Sequence, residues 1–371
     1  MSETDGATLK RTPLHGLHLS RGAKMTPFAG YDLPVQFPDG VMKEHLHTRA
    51  AAGLFDVSHM GQLYLHGAGA AAALEKLVPG DIQGLAPGRT RYTLFTNATG
   101  GILDDLMVTM ADGKLYVVVN AACKDADIEL LRAGLPSEIA IELLDDRALI
   151  ALQGPVATAV LARFAPTVET MPFMSSVDVV LQGSDCIVGR CGYTGEDGFE
   201  ISAPADVAAS IAEALLAEAE VAPIGLGARD SLRLESGLCL YGHDIDETTT
   251  PIEAALQWSI GKRRRTEGGF PGDAVIQEQI ESGAPRKRVG IRPDGRAPGR
   301  EGTQIMDSQG NGIGKVTSGG FGPTVGGPVS MGYIARDFSK PGTQLLLEVR
   351  GKALPAAITA LPFTPQNYYR G

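Results

Sequence analysis

The stretch RYTLFTNATGGILDDLMVTMADGKLYVVVN, residues 91–120, decides how the first part of the chain folds. RYTLFTN (91–97), the apolar run that follows the glycines, and KLYVVVN (114–120) read as successive strands separated by turn residues. Gly100 and Gly101 permit a tight turn, and the Asp-Gly of ADGK (111–114) suits a hairpin between the last two strands because both residues tolerate positive φ. The middle strand carries adjacent carboxylates, Asp104 and Asp105, among Ile102, Leu103, Leu106, Met107 and Val108. An aspartate in such a run is costly unless it is paired, hydrogen-bonded or opened to a cleft. Side chains alternate across a strand, so the two acids point to opposite faces and at most one looks into a given cavity.

Outward from this stretch, strand-like and helix-like patterns alternate over the first part of the chain and indicate mixed α and β structure. MKEHLHTRAAAGLF (42–55) is predicted helical to near Gly53, and AAALEKLV (71–78) helical as well. IAIELLD (139–145) and ALIALQG (148–154) continue the strands, and Pro155 starts a helix over PVATAVLARF. CIVGRCGYTGEDGFEIS (186–202) reads as two strands around a tight acidic turn, followed by the amphipathic helix ADVAASIAEALLAEAE (205–220). GARDSLRLESG (227–237) is a further helix, with Arg229 and Arg233 on one face and Gly237 as its C-cap. After about residue 280, KRVGIRPDGR, GNGIGKVTSGG, VSMGYIA and TQLLLEVRG are short strands between Gly and Pro turns, which predicts a separate all-β module, a small barrel or sandwich.

Composition narrows the function classes. A chain of 371 residues suits two or three domains. It is 43% hydrophobic and 20% charged, with no stretch long enough to span a membrane. The net charge of −10 argues against nonspecific nucleic-acid binding. The 4 cysteines form no CxxC pair and are expected as reduced thiols. His45 and His47 occur without HExxH or a nearby cysteine pair, so no metal is expected. The polar start, MSETDGATLK, fits neither a secretory signal nor an arginine-rich transit peptide, which predicts a cytoplasmic protein, or a mitochondrial matrix one if a transit peptide was removed.

GLGARD (225–230) lacks the third glycine of a dinucleotide loop, no Walker lysine occurs, and there is no GxSxG. The remaining candidates are Asp105, the turn with Glu196, Asp197 and Glu200, and the helix of Arg229 and Arg233. By spacing alone, Glu200 between Phe199 and Ile201 favours solvent, and Glu196 and Asp197 a solvated turn. Arg229 by the same reasoning is an ion-pair partner of Asp230 or Glu235, and GKRRR (261–265) and PRKR (285–288) are solvated turns.

The motifs in combination carry more. LFDVSHMG (54–61), TNATGGILDDL, LQGP (152–155), CGYTGEDGFEIS, ARDSLRLESGLCLYGHDID (228–246) and GKRRR occur in this order, between RTPLHGLHLSRGAKMTPFAGY near the start and PFTPQNYY at the end. Together they resemble the T-protein family of the glycine cleavage system, the aminomethyltransferases, over essentially the whole chain. The resemblance implies an α+β fold, a three-domain cloverleaf of two mixed α/β lobes and a C-terminal β-barrel around a central folate-binding funnel. In this chain residues 1–280 would form the two interleaved lobes and 281–371 the barrel. It further implies tetrahydrofolate as the one-carbon acceptor, no metal, and a lipoylated H-protein as the partner that delivers the aminomethyl group. The second acid of GGILDD, Asp105, matches the family's essential aspartate, and Glu200 of GFEIS, Arg229 of ARDSL and Tyr368 of PQNYY match its folate-site residues.

The residue types suit that chemistry. A carboxylate such as Glu200 can accept two N–H donors side by side from one pterin edge. Tyr193, Tyr92 and Tyr368 offer flat apolar area for the pterin or benzoyl rings. An arginine can orient Glu200 or bind a folate carboxylate, and both options stay open. A carboxylate at Asp105 can hydrogen-bond a folate N–H, aid its deprotonation and stabilise developing positive charge, which explains an acid in a strand. Arg263, Arg264 and Arg265 are the expected docking patch for an acidic carrier. Folate-dependent demethylases share the pocket residues, whereas GLCLYGHDID and GKRRR favour the glycine-cleavage members. Non-enzymatic folate-binding relatives in iron–sulfur assembly carry K-G-C-Y-x-G-Q-E, where this chain has GRCGYTGEDG without the glutamine. That leaves Cys191 as a buried structural thiol.

Overall fold

The computed structural model describes residues 8–371, so most of the polar N-terminal stretch considered above, residues 1–7, lies outside the described residues. The stretch 91–120 forms three of the five strands of an antiparallel sheet. Its order is Thr90–Thr96, Ile102–Ala111, Lys114–Val119, Gly61–His66 and Ala140–Leu143. The ADGK turn closes with Gly113 at φ +69. Alternation sends Phe95, Leu106, Val108, Leu115 and Val117 into a core covered by Ala70, Leu74 and Leu131.

A second sheet has six strands in the order Ser175–Leu181, Ser184–Arg190, Gly198–Pro204, Arg147–Gln153, Ala52–Asp56 and Val221–Pro223. Only the last pairing is parallel. The helices Ala157–Leu161 and Ala205–Leu216 cover it through Ala157, Val160, Ile211 and Leu215. The chain enters this sheet at Ala52–Asp56, leaves to build the whole five-stranded sheet, and returns at Arg147–Gln153. The two lobes are therefore interleaved in sequence. A shared cluster joins them, in which Tyr116 and Val118 of one sheet meet Phe55, Leu149 and Ala151 of the other and Leu232 of the helix Leu226–Glu235.

Residues after 285 form a closed barrel of six strands. Their order is Arg286–Pro293, Gly327–Ala335, Gly312–Gly322, Gln304–Met306, Gln344–Val349 and Lys352–Thr359, the last pairing back to the first. Ile291, Ile305, Val316, Leu345, Leu347 and Ile358 fill its interior. The sandwich alternative is thereby excluded, since closure leaves no free edge.

Local patterns misplace several boundaries. The helix expected to near Gly53 is Val41–Ala50, and Ala52–Asp56 is a fully buried strand. It pairs along both edges, with Arg147–Gln153 and with Val221–Pro223, and these ladders override a sequence that locally continues a helix. The helices Ala70–Leu74 and Ala157–Leu161 are shorter than their patterns suggest, the latter starting beyond Pro155. The helix Leu226–Glu235 ends as expected, with Gly237 at φ +67.

That helix ties the barrel to the lobes. Glu235 accepts the backbone N–H groups of Thr324 and Val325 at 2.8 and 3.1 Å from the barrel, and faces His45 at 3.1 Å and Arg49 at 3.3 Å from the lobe. Burial alone would raise its pKa, but hydrogen bonding and charge from His45, then the Val325 and Thr324 donors, bring it down to about 2 from 4.5. A depressed carboxyl stabilises the fold above its unfolded pKa and loses that contribution as pH falls through the folded one. Stability should therefore decline between pH 4.5 and about 2, and Glu235→Gln should flatten that part of a plot of urea midpoint against pH. A variant with the wild-type acid limb would assign the acid sensitivity elsewhere.

Candidate functional site

Asp105 shares the strand face of Met107 and Thr109, whereas Asp104 shares the core face of Leu106 and Val108. Met107 and Thr109 line a cleft between the two sheets, whose far wall holds Ile187, Gly189, Cys191 and Glu200. Asp105 lies opposite Leu94, two pairs along from Tyr92 opposite Met107, and the nearby Tyr92 hydroxyl favours its charged form. Tyr92 stacks on the exposed Trp258, with centroids 5.2 Å apart and planes at 25°.

The opposite-face reading of the two acids holds for the strand, yet Asn120 reunites them. Its side-chain amide donates to Asp104 Oδ1 at 2.9 Å and to Asp105 Oδ1 at 2.7 Å, and its backbone N–H donates to Asp104 Oδ2 at 3.0 Å. Asn120 ends the next strand, and its spacing in sequence carries no sign of this role. Burial, and then the Asp104 charge, push the Asp105 carboxyl well above the usual carboxylate range. Just before the strand, an added Cβ at Gly101 would lie 1.8 Å from the Glu247 carbonyl oxygen, so only glycine lets the 239–250 segment close over this end.

Glu200 points into the cleft rather than to solvent. Its Oε2 accepts from Cys191 Sγ at 3.5 Å, and burial raises its pKa while the charge of Arg229 opposes that rise. Cys191 is buried, and its thiol is pushed far up by burial and then by Glu200, so it behaves as an inert partner. Arg229 makes no ion pair with Asp230 or Glu235 within 4 Å, because Arg233 takes Asp230 and Arg49 and His45 take Glu235. The Arg229 guanidinium lies 4.9 Å over the Tyr193 ring, and its Nη1 is buried without a partner. Tyr193 in turn donates its hydroxyl to the Cys239 carbonyl.

Tyr368 belongs to a C-terminal tail that returns to the second lobe. Phe363 N–H donates to Glu235 O at 2.8 Å, Asn367 N–H to Gly195 O at 2.8 Å, and Tyr368 stacks on Phe173 at 4.2 Å with planes 13° apart. The acidic turn that it clasps is not solvated. Glu196 is buried, pairs with Arg49 at 2.9 Å and accepts Asn367 Nδ2 at 2.9 Å, and Asp197 pairs with Arg190 at 2.5 Å. Desolvation of these acids is offset by arginines distant in sequence, which turn composition does not reveal.

The basic run is also committed internally. Arg263 binds Glu75, Asp81 and Glu267 at 2.6–2.7 Å, Arg264 is buried and donates to Glu75 O at 2.5 Å, and Arg265 donates to the carbonyls of Ile260 and Gln257. These three side chains lock the 257–267 segment onto the first lobe and present no free cationic cluster. Among the described residues, no group of three or more His, Cys, Asp or Glu is placed to hold a metal ion. No described helix is long and apolar enough to cross a membrane. A larger surface pocket at Phe37, Lys43, His47 and Pro223 contains none of the site residues.

The geometry is thus two interleaved α/β lobes joined to a closed barrel, with the half-buried Asp105 beside a cleft lined by Glu200, whose charge partner is Arg229. The GCVT N-terminal domain family matches residues 14–264, and the glycine cleavage T-protein C-terminal barrel domain family matches residues 286–364. The chain is 50% identical over 378 residues to the mitochondrial aminomethyltransferase of Dictyostelium discoideum, covering 97% of this chain and 94% of that one. Identity to the human mitochondrial aminomethyltransferase is 49% over 370 residues, covering 97% and 91%. The crystal structure of the glycine cleavage system aminomethyltransferase T from Bartonella henselae matches with a TM-score of 0.93 at 44% identity, covering 98% of this chain and 100% of that one. The chain belongs to the glycine cleavage T-protein family, the aminomethyltransferases.

Proposed function

We propose that the chain transfers the one-carbon unit of an S-aminomethyl-dihydrolipoyl carrier, an H-protein, to tetrahydrofolate, giving 5,10-methylenetetrahydrofolate, ammonia and the dihydrolipoyl carrier. The observation that carries this reading is the arrangement of Asp105, with Tyr92 and Asn120, beside the cleft lined by Glu200, whose charge partner is Arg229. Glu200 accepts only the weak Cys191 donor and Arg229 Nη1 has no acceptor, so hydrogen-bonding capacity of both signs is unmet beside the apolar cleft wall. A pterin, with donors and acceptors on one flat edge, fits that donor set. Tetrahydrofolate supplies the attacking nitrogens when bound. Glu200 orients it by accepting its N–H groups, Arg229 pairs with an acceptor, and Tyr193 and Tyr368 give flat surface. Asp105, its proton affinity raised, takes a proton at the attacking nitrogen and returns one to the departing ammonia.

The deciding experiment is ammonia release from aminomethylated lipoyl H-protein, with and without tetrahydrofolate. Strong folate-dependent release is expected, and release with a small methyl donor alone would replace this reading. Glu200→Ala should weaken tetrahydrofolate binding about 10- to 100-fold by calorimetry, the contribution of hydrogen bonds to a charged acceptor. An unchanged dissociation constant would remove Glu200 from the folate site. The enzyme works in the compartment of its carrier, either the cytoplasm or the mitochondrion named for its relatives, in the latter case the matrix.

A further inference from the structure

The cleft lined by Glu200 is closed along one side by backbone pairing between the lobes, and the C-terminal segment is fastened to that seam. Thr90 N–H donates to Met174 O at 2.9 Å, Ser176 N–H to Gly88 O at 2.8 Å, and the Arg89 guanidinium to Phe173 O at 3.2 Å. Thr90 and Ser176 line the cleft, so the seam is its edge. Phe173 N–H in turn donates to Tyr369 O at 2.8 Å, and the Phe173 ring stacks on Tyr368. The first lobe, the second lobe and the C-terminal segment are thus joined in one run of hydrogen bonds beside the cleft.

After Thr359 the chain forms no further helix or strand. A side chain in such a segment keeps one orientation only where the residues beside it are fixed. On one side of Tyr368 the fixing residue is Asn367. Its N–H donates to Gly195 O at 2.8 Å, and its side-chain amide donates to Glu196 Oε2 at 2.9 Å. Glu196 is 4% exposed and its other oxygen accepts from Arg49 at 2.9 Å, so the acceptor is held in place from behind. On the other side, the Tyr369 ring lies over the Arg190 guanidinium at 4.2 Å. Asn367 is exposed and adds nothing to an apolar core, so its amide contact is what it contributes.

We propose that Asn367 is a positioning residue for tetrahydrofolate binding: clipped to the buried Glu196, it holds the Tyr368 ring against Phe173 at the edge of the cleft. The inference rests on the reading that places Tyr368 at the folate. A hydrogen bond to a carboxylate is stronger than one between neutral groups, which suits a clip on an irregular segment. A ring already held in place need not be immobilised when the ligand arrives, so loss of the clip costs affinity. Asp105 stands on the first lobe, away from the clip, so the chemistry at saturation is untouched.

The test is tetrahydrofolate binding to the full chain by calorimetry, with single-turnover ammonia release at saturating tetrahydrofolate as second readout. Asn367→Ala should raise the dissociation constant about 5- to 10-fold, the worth of one hydrogen bond to a charged group, and leave the saturated rate within about 2-fold. Asn367→Asp sets two carboxylates against each other and should bind as weakly or worse. The double variant Glu196→Gln/Asn367→Asp reverses the direction of the bond while keeping an oxygen for Arg49, and should regain most of the affinity. In a Tyr368→Ala background, Asn367→Ala should add little to the loss already present, a non-additivity that general loosening of the segment would not give. Unchanged affinity in Asn367→Ala, additive losses with Tyr368→Ala, or no recovery in the Glu196 double variant overturns the clip. Melting temperatures report folding, and if the Glu196 double variant does not fold, the cycle with Tyr368 decides. Should Tyr368→Ala bind tetrahydrofolate as tightly as the wild type, it is the placing of Tyr368 at the folate that falls.

Discussion

Replacing Asp105 with asparagine is expected to lower the rate of aminomethyl transfer by about 10²–10⁴-fold, the usual contribution of a positioned acid–base group. The change is nearly isosteric. Asn can still accept from the Asn120 amide, so the strand end and the cleft should keep their shape. What disappears is a group able to take and return a proton, together with the negative charge that offsets positive charge developing at the carbon. Tetrahydrofolate affinity should change little, because Glu200, with the charge of Arg229 beside it, stands on the opposite wall. Single-turnover ammonia release against a calorimetric dissociation constant separates the two quantities. A loss of affinity that accounts for the whole rate loss would make Asp105 a binding residue and not an acid–base group.

Arg233→Met is expected to cost about 3–5 kcal/mol, the penalty for leaving a buried charge without its partner. Arg233 and Asp244 are 4% and 0% exposed and meet at 2.7 Å. Asp244 also accepts Thr317 at 2.5 Å and Ser318 at 2.8 Å from a barrel strand, and its carbonyl accepts Tyr333. This one carboxylate therefore joins the helix Leu226–Glu235, the covering segment and the barrel. Without the guanidinium it is left desolvated and unpaired, and docking of the barrel weakens with it. The measurement is the urea midpoint, with fluorescence of the single tryptophan, Trp258, as one probe. The double variant Arg233→Met/Asp244→Leu should recover much of the loss. A single-variant cost near zero would show that the barrel is held by apolar contacts such as Leu234 with Val329 and Met331.

Part of the site follows from local pattern. The strand reading of 91–120 and the opposite orientation of Asp104 and Asp105 come from a period of two. The helix of Arg229 comes from apolar spacing and a terminal glycine. Each is set by neighbours a few residues away, so the amino-acid order determines it directly. The motif run added the family, and with it Asp105, Glu200, Arg229 and Tyr368 as a set.

What tertiary structure decided are the partners. Glu196 looks like a turn acid until Arg49 meets it, and Arg263–Arg265 look like a surface patch until Glu75, Asp81 and local carbonyls engage them. Ala52–Asp56 becomes a strand only because two distant segments pair with it. Asn120 gains meaning only from the two acids that it touches. The sequence by itself determined the periodic elements, the barrel module and the family, because these depend on short-range spacing. Which charges are neutralised, which are left unmet beside the cleft, and which acid has its proton affinity raised depend on groups brought together across long stretches of chain, where burial multiplies each unpaired charge.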